Sequence, residues 1–440
     1  SATYRRDGLS RFAKDARFGN FPGVSAGWRI SEEDFWKQSN ALRFINEFKI
    51  RGGWARVGND QIAGGLFPFL SQYGSRPYGA ISGIAISLVG NTALQWETND
   101  KLNIGFDMTF WDNRINLTFD WFSNKNDDLV FAVPLPVSFG VPGNSIFQNI
   151  GSSENKGFEI AIGGTVIRKR DFSWDVNFNF TSTKNKVIKL PSGDIIDGYN
   201  IIREGQPINS LFGYQFIGVN SGNGNPMYVK ADGTLIQGNI ANTTYYGVIK
   251  EDDPTLGTQT TLAGADRAIL GNVLPTYFGG VSSTLNFKGI ALDMLWRYSG
   301  GNYIFNRTAQ EGLYNQAFQN NGTDILRRWQ AAGDVTDVPR LWYGRDNFTN
   351  LQQNAVSRFV EKGDFVRLEN LQISYTIPAK SLEKWTKGHI KSFRVFVQGQ
   401  NVLLMTDYKG IDPENISETG QDLSTVPKPR IFSFGFNVGL

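Results

Sequence analysis

The sequence predicts an all-β fold, a transmembrane antiparallel β-barrel of about twelve strands, and three observations predict it. Apolar and small or polar residues alternate up to the final residue. Phe432, Phe434, Phe436, Val438 and Leu440 share one parity, and Ser433, Gly435, Asn437 and Gly439 take the other. Short and long connections alternate along the chain. No apolar run approaches the ~18 residues that a membrane-spanning helix needs, and the stretch 81–89 is interrupted by Gly and Ser. A strand with one aromatic face and one small, polar face suits a sheet set between lipid and water.

Taken in order, period-two segments fall at 1–6, 19–30, 46–58, 94–110, 114–130 and 154–168, then 172–187, 274–288, 290–303, 364–377, 393–404 and 430–440. The clearest three alternate without a break. Leu102, Ile104, Phe106, Met108 and Phe110 interleave with Asn103, Gly105, Asp107 and Thr109. Ile115, Leu117, Phe119 and Trp121 interleave with Asn116, Thr118 and Asp120. Phe172, Trp174, Val176, Phe178 and Phe180 interleave with Ser173, Asp175, Asn177 and Asn179. The connections 111–113, 169–171 and 288–289 are short, and 31–45 and 379–392 have room for a helical turn. The interleaved connections, 59–93, 131–153, 188–273, 305–363 and 405–429, are long. Short turns at one end and long loops at the other is the topology of an outer-membrane barrel.

Composition narrows the function. The chain of 440 residues is rich in aromatics (33 Phe, 15 Tyr, 11 Trp) and Gly, as barrels with interfacial girdles and curved strands are. It has no Cys and one His, His389, which argues against thiol or imidazole catalysis and against a multi-histidine metal site. No nucleophile motif and no carboxylate pair around a scissile bond is legible, so the reading is not an enzyme and needs no cofactor or metal. A formal charge of +3 gives no basic stripe for nucleic acid. The opening residues read as a strand already under way, without a signal peptide, so the expectation is a part of something longer.

Several stretches resemble the SusC/RagA family of TonB-dependent outer-membrane transporters of Bacteroidota. The most specific are Tyr-Arg-Arg-Asp-Gly-Leu-Ser-Arg-Phe at 4–12 with the segment 17–33, and Asn-Ile-Gly-Ser-Ser-Glu-Asn-Lys-Gly-Phe-Glu at 149–159. Glu-Gly-Gln-Pro-Ile at 204–208, Asp-Arg-Ala-Ile-Leu-Gly-Asn at 266–272, Pro-Thr-Tyr-Phe-Gly-Gly at 275–280, and the segments 359–371 and 397–403 follow in the family's order. The resemblance implies that residues 1–440 are the carboxyl-terminal part of a barrel of about 22 strands, with plug and TonB box upstream. It implies active import of an oligosaccharide or oligopeptide, a SusD-like lipoprotein lid, TonB, surrounding outer-membrane lipid, and a dimer of such pairs. The rival readings are a plug-less porin and a surface adhesin. The family's calcium-loop-like stretch is missing at 251–261, where Asp/Asn ligand spacing is absent, so no bound calcium is expected.

Candidate site residues divide by location. Asp107, Asn116, Asp120, Asn177, Asp293, Arg297 and Asn370, with Asn179 and Gln372, are expected on the lumen side, where a plug would contact them. In the long loops Tyr73, Tyr78, Tyr214, Tyr245, Trp329 and Trp342 are candidates for substrate contact, with packing of the loops as the competing role. Trp111, Trp121, Trp174, Tyr298 and Tyr375 are expected to face lipid or its interfaces, and the basic turn 168–170 to lie among headgroups.

Overall fold

The computed structural model describes residues 1–59, 65–190, 193–316 and 319–440. Twelve strands form one sheet whose spatial order follows the chain, each antiparallel to its neighbours. They are β1 (Ala2–Gly8), β2 (Phe18–Arg29), β3 (Ile45–Asn59), β4 (Glu97–Phe110), β5 (Ile115–Pro134) and β6 (Ser145–Arg168). They continue as β7 (Phe172–Lys189), β8 (Tyr277–Phe287), β9 (Ile290–Gly300), β10 (Phe365–Thr376), β11 (Ser392–Thr406) and β12 (Ile431–Gly439). Each predicted segment overlaps one of them. Among the described residues β1 and β12 each have a single neighbour, so the sheet is open.

The short connections are made by backbone that only a few residue types tolerate. Trp111, Asp112 and Asn113 all have positive φ between β4 and β5, and Lys288 and Gly289 do so in the two-residue turn between β8 and β9. The two longer members carry helical turns, at Asp34–Lys37 and over Ala379–Thr386.

Register separates the two faces. Ile104 opposes Trp121, which opposes Phe158, while the intervening rows hold Asn103, Gly105 and Asp120. On the apolar face an aromatic ladder crosses strands: Phe48, Phe106, Phe119, Phe158, Phe180 and Tyr298 follow at ring-centroid separations of 5.4 to 6.5 Å. Phe434, on β12, is 89% exposed on this face. A sheet presenting such side chains to water would aggregate, whereas lipid satisfies them.

One connection departs from the sequence reading. Residues 131–153 are mostly strand, because β5 runs on to Pro134 and β6 begins at Ser145. Val130 packs against a cluster of Phe12, Phe21, Leu94 and Trp96, while Phe131 packs against Val187, Leu190, Ile195 and Ile202. With both faces covered the period-two pattern disappears, as it does in any strand buried on two sides. At about 3.3 Å per residue, the 24-residue β6 extends roughly 80 Å, far beyond the ~30 Å of a bilayer core.

The two longest connections fold together. A nine-stranded sheet runs through residues 195–271 and takes in Ala355–Val356 from the later connection, which pairs parallel to Ser210–Val219. Leu211, Tyr228 and Ile236 from the earlier connection share a core with Phe305, Tyr314, Val338 and Phe359 from the later one. These loops are a structured domain with its own hydrophobic interior.

Candidate functional site

The polar face of the large sheet carries the charged chemistry. Arg51, Gly105 and Asp120 are successive cross-strand partners on β3, β4 and β5. Because Gly105 has no side chain, the Arg51 guanidinium crosses it and donates to both carboxylate oxygens of Asp120, at 2.5 and 2.6 Å. The same guanidinium donates from Nε to Asp107 at 3.1 Å, and the Thr118 hydroxyl donates to Asp107 at 3.2 Å. Further round the sheet, Thr284 donates to Asp293 at 2.8 Å and Gln398 donates to Asn370 at 2.7 Å. Asn177 donates to the Ser282 hydroxyl, and exposed Asn116 lies on the other side of Gly163 from Asn177. All seven residues read as lumen-side therefore occupy one face, opposite the aromatic ladder.

A second charged group holds the last connection against this face. Arg297 and Arg367 are directly opposed on β9 and β10, next to a bulge that accommodates Glu369. Two facing guanidinia repel unless neutralised. Residues 407–430 fold back to supply the carboxylates: Asp412 meets Arg367 Nη2 at 2.6 Å, and Glu414 meets Arg367 Nε at 2.6 Å. Glu414 also pairs with Arg297 and Lys428, both at 3.2 Å. The side chains of Arg367 and Asp412 are each only 3% exposed. The connection is tied at its other side too, where Asp422 accepts from the Tyr408 hydroxyl at 2.6 Å and from Thr308 at 2.8 Å.

Between this strap, the sheet and the loop domain lies a cavity of about 590 Å³ bounded by Asn179, Phe278, Arg297, Asn302, Phe365 and Glu414. It combines two phenyl rings, two amides, a guanidinium and a carboxylate. The Asn302 side-chain oxygen is buried with no hydrogen-bond partner among the described residues. Such a lining can bind and orient a polar oligomer with apolar patches.

The loop aromatics separate into distinct environments. Tyr73 and Tyr78 stand on a small hairpin region, 66% and 86% exposed. Trp342 is exposed, with the Arg340 guanidinium 5.4 Å from its ring. Tyr214 is buried in the loop-domain core, and Tyr245 packs between Tyr228 and Phe348, its phenol ionisation pushed up by burial. Trp329 covers Gly224 and donates Nε1–H to the Ser221 carbonyl at 2.8 Å, joining the two long connections. Tyr214, Tyr245 and Trp329 are thus packing residues here, since an aromatic side chain in a folded loop finds an apolar neighbour before it finds a ligand. Phe278, Asn302, Phe365, Arg367 and Glu414 were not singled out from sequence. The one signal was Asp-Pro-Glu at 412–414, acidic residues in a loop facing an arginine-bearing strand.

The family described as "TonB dependent receptor-like, beta-barrel" matches residues 1–247. The chain is 33% identical over 459 residues to TonB-dependent receptor P3 of Formosa agariphila, covering 99% of this chain and 43% of that protein. It is 28% identical over 460 residues to TonB-dependent receptor SusC of Bacteroides thetaiotaomicron, covering 99% of this chain and 41% of that protein. The chain therefore spans less than half the length of these relatives. A solved structure of the RagAB peptide transporter superposes with a TM-score of 0.82 at 22% identity, over 99% of this chain and 45% of that one.

Proposed function

The chain belongs to the TonB dependent receptor-like β-barrel family, and from that premise we propose that it is the carboxyl-terminal barrel wall of an outer-membrane importer of oligomeric nutrients. The observation that carries the reading is the cavity on the polar face, roofed by the strap 407–430 and flanked by the loop domain. The Asn179 amide, the Arg297–Glu414 pair and two phenyl rings suit a chain of amide- or hydroxyl-bearing units, an oligopeptide or an oligosaccharide. Binding and passage are the work of this site; no bond is broken in it.

In this reading residues 1–440 complete a larger barrel around a plug, and the Arg51–Asp107–Asp120 group lies on the face turned to that plug. A SusD-like lipoprotein closes over the loop domain, whose exposed Val335, Leu326 and Tyr343 offer it an apolar surface. TonB supplies the energy, and two such pairs associate as a dimer.

The test is uptake by cells carrying the full-length protein, with labelled oligopeptide and oligosaccharide pools offered in parallel. The expected result is uptake of one pool that stops when TonB is removed, while surface binding persists. Uptake unaffected by TonB, with both pools passing equally, would sink the importer reading in favour of a porin.

A further inference from the structure

The loop domain holds a second and larger cavity, about 1100 Å³, that shares no described lining residue with the cavity on the barrel's polar face. Four consecutive antiparallel strands build its wall: Ser210–Val219, Pro226–Val229, Leu235–Asn239 and Thr244–Val248. Tyr228 and Ile236 belong to the domain core, so alternation turns Met227, Leu235 and Val248 to the opposite face, where the cavity lies. A β-bulge in the first strand adds to that face. Phe216 opposes Tyr228 and Gly218 opposes Met227, so Ile217 is the extra residue and is aimed at the cavity. Gly218 has positive φ and no side chain, which leaves the buried Met227 as the floor.

The lining is aliphatic in its depth and charged at its rim. Ile217 and Ile249 stand at the mouth, 42% and 61% exposed, and continue the aliphatic floor into one apolar surface. Phe216, the one aromatic among the described lining residues, turns its ring to Tyr228 in the core at 6.0 Å. No aromatic face is left there for a sugar ring to stack on. Three carboxylates and one ammonium edge the cavity. Asp252 is paired with Lys250 at 3.0 Å and Asp337 with Arg327 at 2.5 Å. Glu251 is exposed and has no basic partner among the described residues. The rim therefore sets one unpaired negative charge beside an aliphatic cleft.

We propose that this cavity binds a short, extended oligopeptide, seating its aliphatic side chains between Ile217, Leu235 and Ile249 and setting a basic side chain against Glu251. The volume matches the upper end of the ~300–1,000 Å³ range of small-ligand sites, room for a few residues. In an extended chain, side chains at i and i+2 enter the cleft together, while the one at i+1 stays at the wetted rim. Aliphatic residues flanking a lysine or arginine fit that division. The inference rests on the importer reading above for the source of the peptide, and it adds a capture site apart from the barrel cavity. Val335 lines the same mouth and belongs to the apolar surface offered to the lid, so the two surfaces are continuous.

The experiment is equilibrium dialysis of end-capped, radiolabelled Leu-Val-Lys-Val-Leu against the full-length protein in lipid nanodiscs. Leu-Val-Glu-Val-Leu and maltohexaose serve as competitors. The lysine peptide is expected to bind roughly tenfold more tightly than the glutamate peptide, and maltohexaose at equal concentration to leave it bound. Glu251→Gln should bring the two peptides within about threefold of each other. Ile217→Asp/Ile249→Asp should weaken both by about tenfold with thermal unfolding unchanged, because both positions are exposed. Equal affinity for the two peptides in the parent protein would overturn the proposal, as would binding untouched by the double substitution. Uptake that ignores TonB while the cavity still binds peptide would overturn the importer reading alone. TonB-dependent uptake with binding indifferent to Ile217→Asp/Ile249→Asp would overturn this site alone.

Discussion

Tyr298 lies across Gly279, its cross-strand partner, and donates its hydroxyl to the carbonyl oxygen of Asn179 on the next strand at 2.8 Å. A side chain at 279 would collide with the tyrosine ring and with that carbonyl. The ring thus spans three strands on the apolar face, where a hydroxyl without a partner would be costly in lipid. Gly279→Ala is expected to destabilise the barrel by about 1–3 kcal/mol, and Tyr298→Phe by about 1 kcal/mol. Heat-modifiable gel mobility of the full-length variants reads both.

Gly105 plays the same part on the polar face. A Cβ there would meet the Asp120 carboxylate at 2.5 Å, in the path that Arg51 takes. Gly105→Ala and Asp120→Asn should each cost about 2 kcal/mol, with partial exposure of Arg51 keeping the loss below that of a fully buried pair. Combining them should add little, because both remove one interaction. Denaturant midpoints of single and double variants check this.

Removing Arg367 strands Asp412 and Glu414 in a buried setting. Arg367→Met is expected to cost about 3–5 kcal/mol in local stability and to free the strap. Arg367→Met combined with Asp412→Leu and Glu414→Gln should recover much of the loss. Limited proteolysis within 407–430 is the readout, rapid in the single variant and slow again in the triple.

The loop domain and the strap should hold at neutral pH and fail in alkali. Burial raises the phenol ionisation of Tyr408, and the carboxylate of Asp422 raises it further; burial likewise raises Tyr228 and Tyr245. A raised folded value contributes stability that is complete below the ordinary ~10 and is lost as pH climbs through the folded value. Phenolate absorbance should therefore appear for these residues only with unfolding above pH ~10. Tyr408→Phe should flatten that dependence.

Tyr73→Ala and Tyr78→Ala are expected to leave stability within about 0.5 kcal/mol of the parent, being exposed. Tyr214→Ala, in the loop-domain core, should cost about 3–5 kcal/mol. Thermal unfolding separates the two groups, and any change in nutrient binding by the first group is then a surface effect.

Strand placement was legible because lipid on one side and water on the other impose a two-residue period, as Phe172 to Phe180 show. That period failed at Phe131 and Val133, where loop clusters cover both faces and the strand continues unmarked. The seven polar-face residues were legible from parity alone. Loop aromatics were not, because Tyr78 and Tyr214 look alike until it is known which one the core encloses.

The sequence by itself determined the fold class, the strand order and the two faces, since each depends on neighbours along the chain. Only the tertiary structure decided that Asp412 and Glu414 reach Arg367 and that two distant connections share one core. Those facts depend on where long connections return, and their path is set by packing between segments far apart in sequence.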